Sequence, residues 1–170
     1  VTKEKTLEQI IRVNQAGEYG AKRIYKGQLA VLKGNREIEK MLESELKHLE
    51  YFDKQVKKRK VRPTALQPLW HIGGFAMGAI CALMGEKAAM ACTVAVEEVI
   101  GDHYKEQLQQ LKKIKEEENL TLNIEKFMHE ELEHRDIGLE HDAEKSFGYE
   151  GMKTAIKAIT KTAIFLSKRV

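Results

Sequence analysis

Apolar residues recur along this chain at steps of three and four, and period-two alternation is nowhere sustained. Leu7, Ile10 and Ile11, then Ile24, Leu29 and Val31, mark one face of a helix over about Lys5–Leu32. Lys33-Gly34-Asn35 stops it, with Gly34 placed as a left-handed cap. Ile38, Met41, Leu42, Leu49, Phe52 and Val56 mark a second helix over about Arg36–Lys58. A basic run from Lys57 to Arg62 then meets Pro63, and Pro68 follows closely. Leu66 to Met84 is the least polar stretch, and Gly85-Glu86 breaks it. Further helices are expected over about Lys87–Lys115, Thr121–Lys145 and Met152–Lys168, with Gly148 and Gly151 bracketing the last turn. The pattern predicts an all-α, single-domain protein over residues 1–170. Four long helices form a bundle, joined by a hydrophobic crossover segment and extended by a C-terminal helix.

On these helices sit two matching sets of polar residues. Glu18 is followed after 27 residues by Glu45-Leu46-Lys47-His48, and Glu97 after 34 residues by Glu131-Leu132-Glu133-His134. Each interval fits half a helix, a turn and half of the returning helix, so each set can meet at one depth in an antiparallel hairpin. Residues three apart share a helix face, so each Glu-x-x-His can aim both side chains at one interior point. Four carboxylates and two imidazoles from four helices suit a pair of iron or manganese ions, and no thiolate is offered as structural zinc would prefer. Four ionised carboxylates in a core without cations would be costly. By geometry, Glu45 and Glu131 would bridge the metals, Glu18 and Glu97 would cap one each, and His48 and His134 would complete one each. A charged solvent face explains one Glu-x-x-His as well as a metal does; two in matched hairpins favour the metal. Glu98 rivals Glu97, because both follow an apolar run.

Other residues carry weaker signals. Tyr104 returns to the face of Glu97 two turns on and is a candidate for the pocket, with His103 at its edge; the alternative is an ordinary polar surface. Glu130 is placed to orient a metal-bound imidazole. His129 and His141 read as surface residues, and His71 as interfacial. Cys81 and Cys92 read as buried thiols, compatible with a reducing compartment. No signal or transit peptide is visible at Val1, as would also hold for a processed chain.

The crossover has no formal charge and approaches membrane-spanning length, yet one crossing would separate the two polar sets on opposite sides of the bilayer. It is therefore expected either to pack on the bundle as plain core or to lie on a membrane face or against a lipid-binding partner; Trp70 and Phe75, with the basic run just before them, favour the membrane face or partner. Lys153, Lys157 and Lys161 step along the last helix, followed by Lys168 and Arg169; they form a solvated face or meet lipid phosphate or a nucleotide pyrophosphate. A net charge of +3 without a basic cluster and motif leaves no case for nucleic acid.

Arg12-Val13-Asn14-Gln15-Ala16-Gly17-Glu18-Tyr19-Gly20-Ala21, Met90 to Glu98, and Glu130 to Gly138 resemble the hallmark segments of the demethoxyubiquinone hydroxylase family, and the likeness runs nearly end to end. The resemblance implies a ferritin-like fold with two iron ions held by Glu18, Glu45, His48, Glu97, Glu131 and His134, and it favours Glu97 over Glu98. It sets His103 and Tyr104 beside the site. It implies O₂-dependent ring hydroxylation of a demethoxyubiquinone to demethylubiquinone, with NADH as electron donor and Lys161 and Arg169 as candidate NADH contacts. It further implies a peripheral protein on the matrix side of the mitochondrial inner membrane, or on the cytoplasmic face of a bacterial one. Its partners would be a polyprenyl quinone, a lipid-binding protein and a second copy of the chain as a homodimer. A ferritin-like ferroxidase without quinone turnover, or a membrane-associated scaffold with a structural metal, are the competing readings.

Overall fold

Six α-helices carry the described residues. In a computed structural model describing residues 2–114 and 116–170, these are α1 (Lys3–Val31), α2 (Arg36–Arg59), α3 (Gln67–Leu83), α4 (Glu86–Leu111), α5 (Glu118–Glu140) and α6 (Tyr149–Ser167), and no strand occurs among the described residues. The Thr2 hydroxyl caps α1, and the Asn35 side chain accepts from the Ile38 amide to start α2. Between them Gly34 takes a left-handed φ of 75°, as the turn requires. Lys60, also left-handed, ends α2.

The helix ends differ from the sequence pattern where local turns override periodicity. The expected end of the fourth element, Lys115, lies outside the described residues, as does Val1; regular helix stops at Leu111. α5 begins at Glu118, ahead of the expected Thr121, and stops at Glu140 rather than Lys145. Asp142 turns left-handed there, and Ala143–Lys145 continues as a short 3₁₀ turn. Gly148 alone makes the next corner, so Gly151 lies inside α6 instead of bracketing it.

The hairpins α1/α2 and α4/α5 pack together as the four-helix bundle, α3 lies along α1 and touches α4, and α6 lies along α4 and touches α1. The core between them holds Phe52, Tyr104, Ile124 and Phe127 toward one end and Ile38, Met41, Met90 and Val94 toward the other. The contact of α3 with α1 is unusually close. A β-carbon on Gly78 would lie 2.0 Å from the Ile24 carbonyl oxygen, and one on Gly27 would lie 2.1 Å from that of Phe75. Small residues at such crossings let backbones touch, a packing common where helices meet in lipid.

No helix among the described residues is long and apolar enough to cross a membrane. α3 nevertheless keeps Leu69, Ile72, Ile80 and Leu83 exposed, and α6 keeps Ile159 and Phe165 exposed. Trp70 and Phe75 do not lead this face. The Trp70 indole N–H donates to the Ser167 hydroxyl at 3.0 Å, and the Phe75 ring lies under the Arg23 guanidinium.

Candidate metal centre

The bundle brings Glu18, Glu45, His48, Glu97, Glu131 and His134 together, all buried. Their donor atoms form two overlapping groups, each within 4.8 Å: Glu18, Glu45, His48 and Glu131, and Glu45, Glu97, Glu131 and His134. Glu45 and Glu131 belong to both groups, and each of the other four to one. Glu131 straddles the centre, with Oε1 3.0 Å from His48 Nδ1 and Oε2 3.1 Å from His134 Nδ1. His48 Nδ1 also lies 3.4 Å from Glu18 Oε2, and His134 Nδ1 lies 3.1 Å from Glu45 Oε1. Both imidazoles thus present Nδ1 inward. On its far side His48 Nε2 meets Glu130 Oε2 at 2.6 Å, which orients the ring from the opposite hairpin, the role the sequence offers Glu130.

Glu98 points elsewhere. Lys153 and Lys157 of α6 reach its carboxylate at 2.9 and 2.6 Å. Two lysines of the basic stripe are therefore spent on this helix contact. Lys161 is exposed, and Arg169, just past α6, folds its guanidinium onto the Phe165 ring. Neither lines the cavity described below. His129 and His141 are exposed, and His71 is bonded to the Tyr19 hydroxyl at 2.6 Å. Cys81 and Cys92 are buried free thiols.

Two tyrosines tie the halves together. Tyr104 donates to Glu18 Oε1, and Tyr25 donates to Glu97 Oε1 at 2.7 Å. Each stands seven residues after the lone Glu of its own helix and bonds the lone Glu of the other. Tyr25 escapes the sequence reading, although its distance from Glu18 repeats that of Tyr104 from Glu97. Burial, followed by the nearby carboxylates, raises both phenols well above their ordinary range, so they stay protonated donors.

The electrostatics call for cations. Burial pushes the Glu45 carboxyl well above its usual range, and the Glu131 and Glu18 charges push it further. Glu97 rises for the same first reason, then through Glu131, against the Tyr25 hydrogen bond. Glu131 goes the other way. Burial would raise it, but hydrogen bonds from His134 and His48 hold it at about 2. Burial would lower His48, yet the adjoining Glu131 and Glu18 carboxylates lift it to about 11. Glu18 Oε2, both Glu45 oxygens and Glu97 Oε2 remain buried without a hydrogen-bond partner. Oxygens left bare between two inward imidazoles fit divalent metal and little else.

A pH test follows. Carboxyls raised in the folded state contribute stability that is present below their unfolded value of 4.5 and lost as pH rises through the folded values. Glu131 contributes fully above 4.5 and loses this progressively as pH falls toward about 2, and the His48 contribution, full below 6.5, is lost progressively as pH rises toward about 11. The metal-free protein is therefore expected to melt lower at about pH 8 than at about pH 6. Divalent-metal affinity should rise over the same interval, because the ligands must shed protons. Calorimetry with and without metal reads both slopes; parallel slopes would count against the cluster as a metal site.

Beside the cluster lies a cavity of about 530 Å³ between α1, α3, α4 and α6. Its walls are apolar, including Ile24, Met77, Ile100 and Ile164, and it reaches Glu18, His103 and Tyr104. An elongated apolar molecule entering between α3 and α6 would meet the polar residues at the bundle side.

Residues 5–167 match the family model described as "Ubiquinone biosynthesis protein COQ7". The chain belongs to the COQ7 family. It is 51% identical over 169 residues to a Rhodospirillum rubrum protein named 3-demethoxyubiquinol 3-hydroxylase, covering 96% of this chain and 78% of the relative. It is 49% identical over 172 residues to a Dictyostelium discoideum protein, covering 99% and 79%. It is 50% identical over 169 residues to a Homo sapiens protein, covering 96% and 78%. The last two are named NADPH-dependent 3-demethoxyubiquinone 3-hydroxylase, mitochondrial.

Proposed function

We propose that this COQ7-family protein is a di-iron monooxygenase that hydroxylates the ring of a demethoxyubiquinone. The observation that carries this reading is a buried pair of metal-ligand groups, sharing Glu45 and Glu131, that opens through Glu18 onto an apolar cavity. In the balanced reaction a ring C–H, O₂, a reduced nicotinamide nucleotide and a proton give a ring C–OH, water and the oxidised nucleotide. The relatives' names supply NADPH as the donor, and NADH is the sequence expectation; Lys161 and Arg169 stay candidate contacts for either.

Glu18 and His48 would hold one iron, Glu97 and His134 the other, and Glu45 and Glu131 both. When bound, the irons supply O₂ activation. The protein supplies the rest. Tyr104 and Tyr25 fix one oxygen each of Glu18 and Glu97, leaving the second oxygen of each carboxylate without a hydrogen bond. The cavity walls exclude water from the ring and hold it beside Glu18. The exposed apolar rows of α3 and α6 support seating on a membrane face, where the substrate's polyprenyl tail dissolves and where a lipid-binding partner would deliver it. Inner mitochondrial membrane on the matrix side, or a bacterial inner membrane on the cytoplasmic side, is the proposed location.

The test loads anaerobic protein with Fe(II), then adds a short-chain demethoxyubiquinone, NADH or NADPH, and O₂. Hydroxylated quinone is expected. Two irons bound and oxidised without quinone turnover under either donor would favour a ferroxidase, which has no need of the apolar cavity.

Membrane seating carries its own prediction. Ile72→Ser with Leu83→Ser removes two exposed apolar side chains, each worth roughly 1.5–3 kcal/mol when buried. Liposome sedimentation should drop while iron content stays at two per chain. Undiminished sedimentation would sink α3 as the membrane contact.

A further inference from the structure

Among the side chains lining the cavity, seven bear nitrogen or oxygen groups: Asn14, Glu18, Trp70, His103, Tyr104, Thr160 and Ser167. Five are already engaged. Tyr104 and Glu18 bond each other, Ser167 accepts from Trp70, and the Thr160 hydroxyl donates to the Ile156 carbonyl. Asn14 and His103 remain, and one residue behind the wall organises both. Gln107 is buried, and its Nε2 donates to Asn14 Oδ1 at 2.7 Å and meets His103 Nε2 at 2.8 Å. Its Oε1 accepts from Asn14 Nδ2 at 2.8 Å. With its oxygen committed to Asn14, Gln107 offers His103 an N–H, so His103 Nε2 must accept.

This leaves two donors unspent. A neutral imidazole that accepts at Nε2 carries its proton on Nδ1, whose nearest acidic neighbour, Glu106, is exposed and 3.7 Å away, beyond hydrogen-bond length. Asn14 keeps one amide hydrogen. We propose that Gln107 is a positioning residue: it locks His103 in the Nδ1–H tautomer and, with Asn14, makes this end of the cavity a donor pair for an acceptor oxygen of the bound ring. The inference rests on the quinone-hydroxylase reading for the identity of that ring. Ring neutrality agrees with the surroundings, since burial and then the Lys168 charge hold His103 down at about 4. Such a site would select quinone carbonyl or methoxy oxygens, which only accept, and penalise ligands that leave its donors bare.

The network never appears in a motif. Asn14 and Gln107 are 93 residues apart and meet only because α1 crosses α4.

The test uses zinc-loaded protein, zinc being a diamagnetic stand-in for iron, with ¹⁵N-labelled histidine. Long-range ¹H–¹⁵N spectra report each tautomer, and His103→Gln identifies its signals. The expected wild-type state is Nδ1–H. Gln107→Glu keeps the shape but turns the donor into an acceptor, and should move the His103 proton to Nε2. Quenching of Trp70, the only tryptophan, then measures binding of a short-chain ubiquinone. Affinity should fall at least about tenfold in Gln107→Glu, with metal content unchanged. Gln107→Met, which removes both polar partners at similar volume, should give mixed tautomers and an intermediate loss. Nδ1–H lost in Gln107→Glu with unchanged quinone affinity would overturn the proposal, as would an Nε2–H tautomer in the wild type. These readouts need no turnover, so a failed hydroxylation assay with an intact tautomer switch would count against the enzyme reading alone.

Discussion

Glu131→Ala is expected to abolish binding of both metals and to cut hydroxylation by more than about a hundredfold, since even groups outside the coordination shell commonly cost 10–100-fold. Among the described residues Glu131 is the only carboxylate with one oxygen on each imidazole, and it belongs to both candidate ligand groups. Glu18→Ala or Glu97→Ala removes a residue of one group only and should leave the other metal bound more weakly. Iron titration and product formation distinguish the cases. Loss of a single iron from Glu131→Ala would refute the shared role.

The same geometry predicts an opposite effect on the empty bundle. Both Glu45 oxygens are buried without hydrogen bonds. Glu45→Gln is neutral and brings two N–H donors to the neighbouring carboxylates. It should raise the melting temperature of the metal-free protein, by about 2–4 °C for each kcal/mol gained in a chain of this size, while eliminating tight metal binding. A function retained at the expense of stability in this way marks a site rather than a core.

Gly78→Leu should detach the substrate cavity without emptying the metal centre. The new β-carbon would meet the Ile24 carbonyl oxygen at 2.0 Å, a backbone atom that cannot swing aside, so α3 must move off α1. Overpacking of this kind costs about 1–3 kcal/mol, and here it also opens a wall of the cavity. kcat/KM for the quinone should fall steeply. Iron content should persist, because the six proposed ligands lie on α1, α2, α4 and α5. Gly151→Ala is the control: its β-carbon has nothing within 4 Å, and alanine favours helix by up to about 1 kcal/mol. Equal damage from both substitutions would show that the close α1–α3 crossing is not what shapes the cavity.

Much of the candidate metal centre is legible in the sequence because its grammar is local. Glu-x-x-His is a statement about one helix turn, and the hairpin intervals place each lone Glu at matching depth. Helix number follows from apolar periodicity for the same reason. The choice of Glu97 over Glu98 is not local. Adjacent helix positions differ by about 100°, and what lies along each direction belongs to other segments: the Glu131–His134 cluster for Glu97, the α6 lysines for Glu98.

The crossover shows the limit most clearly. Its lack of charge, read from sequence, predicts an apolar surface, and α3 has one. Which residues face outward was decided by α1. Backbone contact through Gly27 and Gly78 sets how α3 lies on α1; in that packing Phe75 lies under Arg23, Trp70 reaches Ser167, and Ile72 and Leu83 stay exposed. Tyr25, Gln107 and Asn14 belong to the same class, since each acts on a residue from a distant stretch of chain. The sequence by itself determined the helices, the pairing of the two acidic sets and the chemistry they offer, because these depend on spacing within a turn or a hairpin. Only the tertiary structure decided which of Glu97 and Glu98 faces the cluster, which tyrosine holds which glutamate, and where the cavity runs, because helix rotation and crossing are set by close packing between segments far apart in sequence.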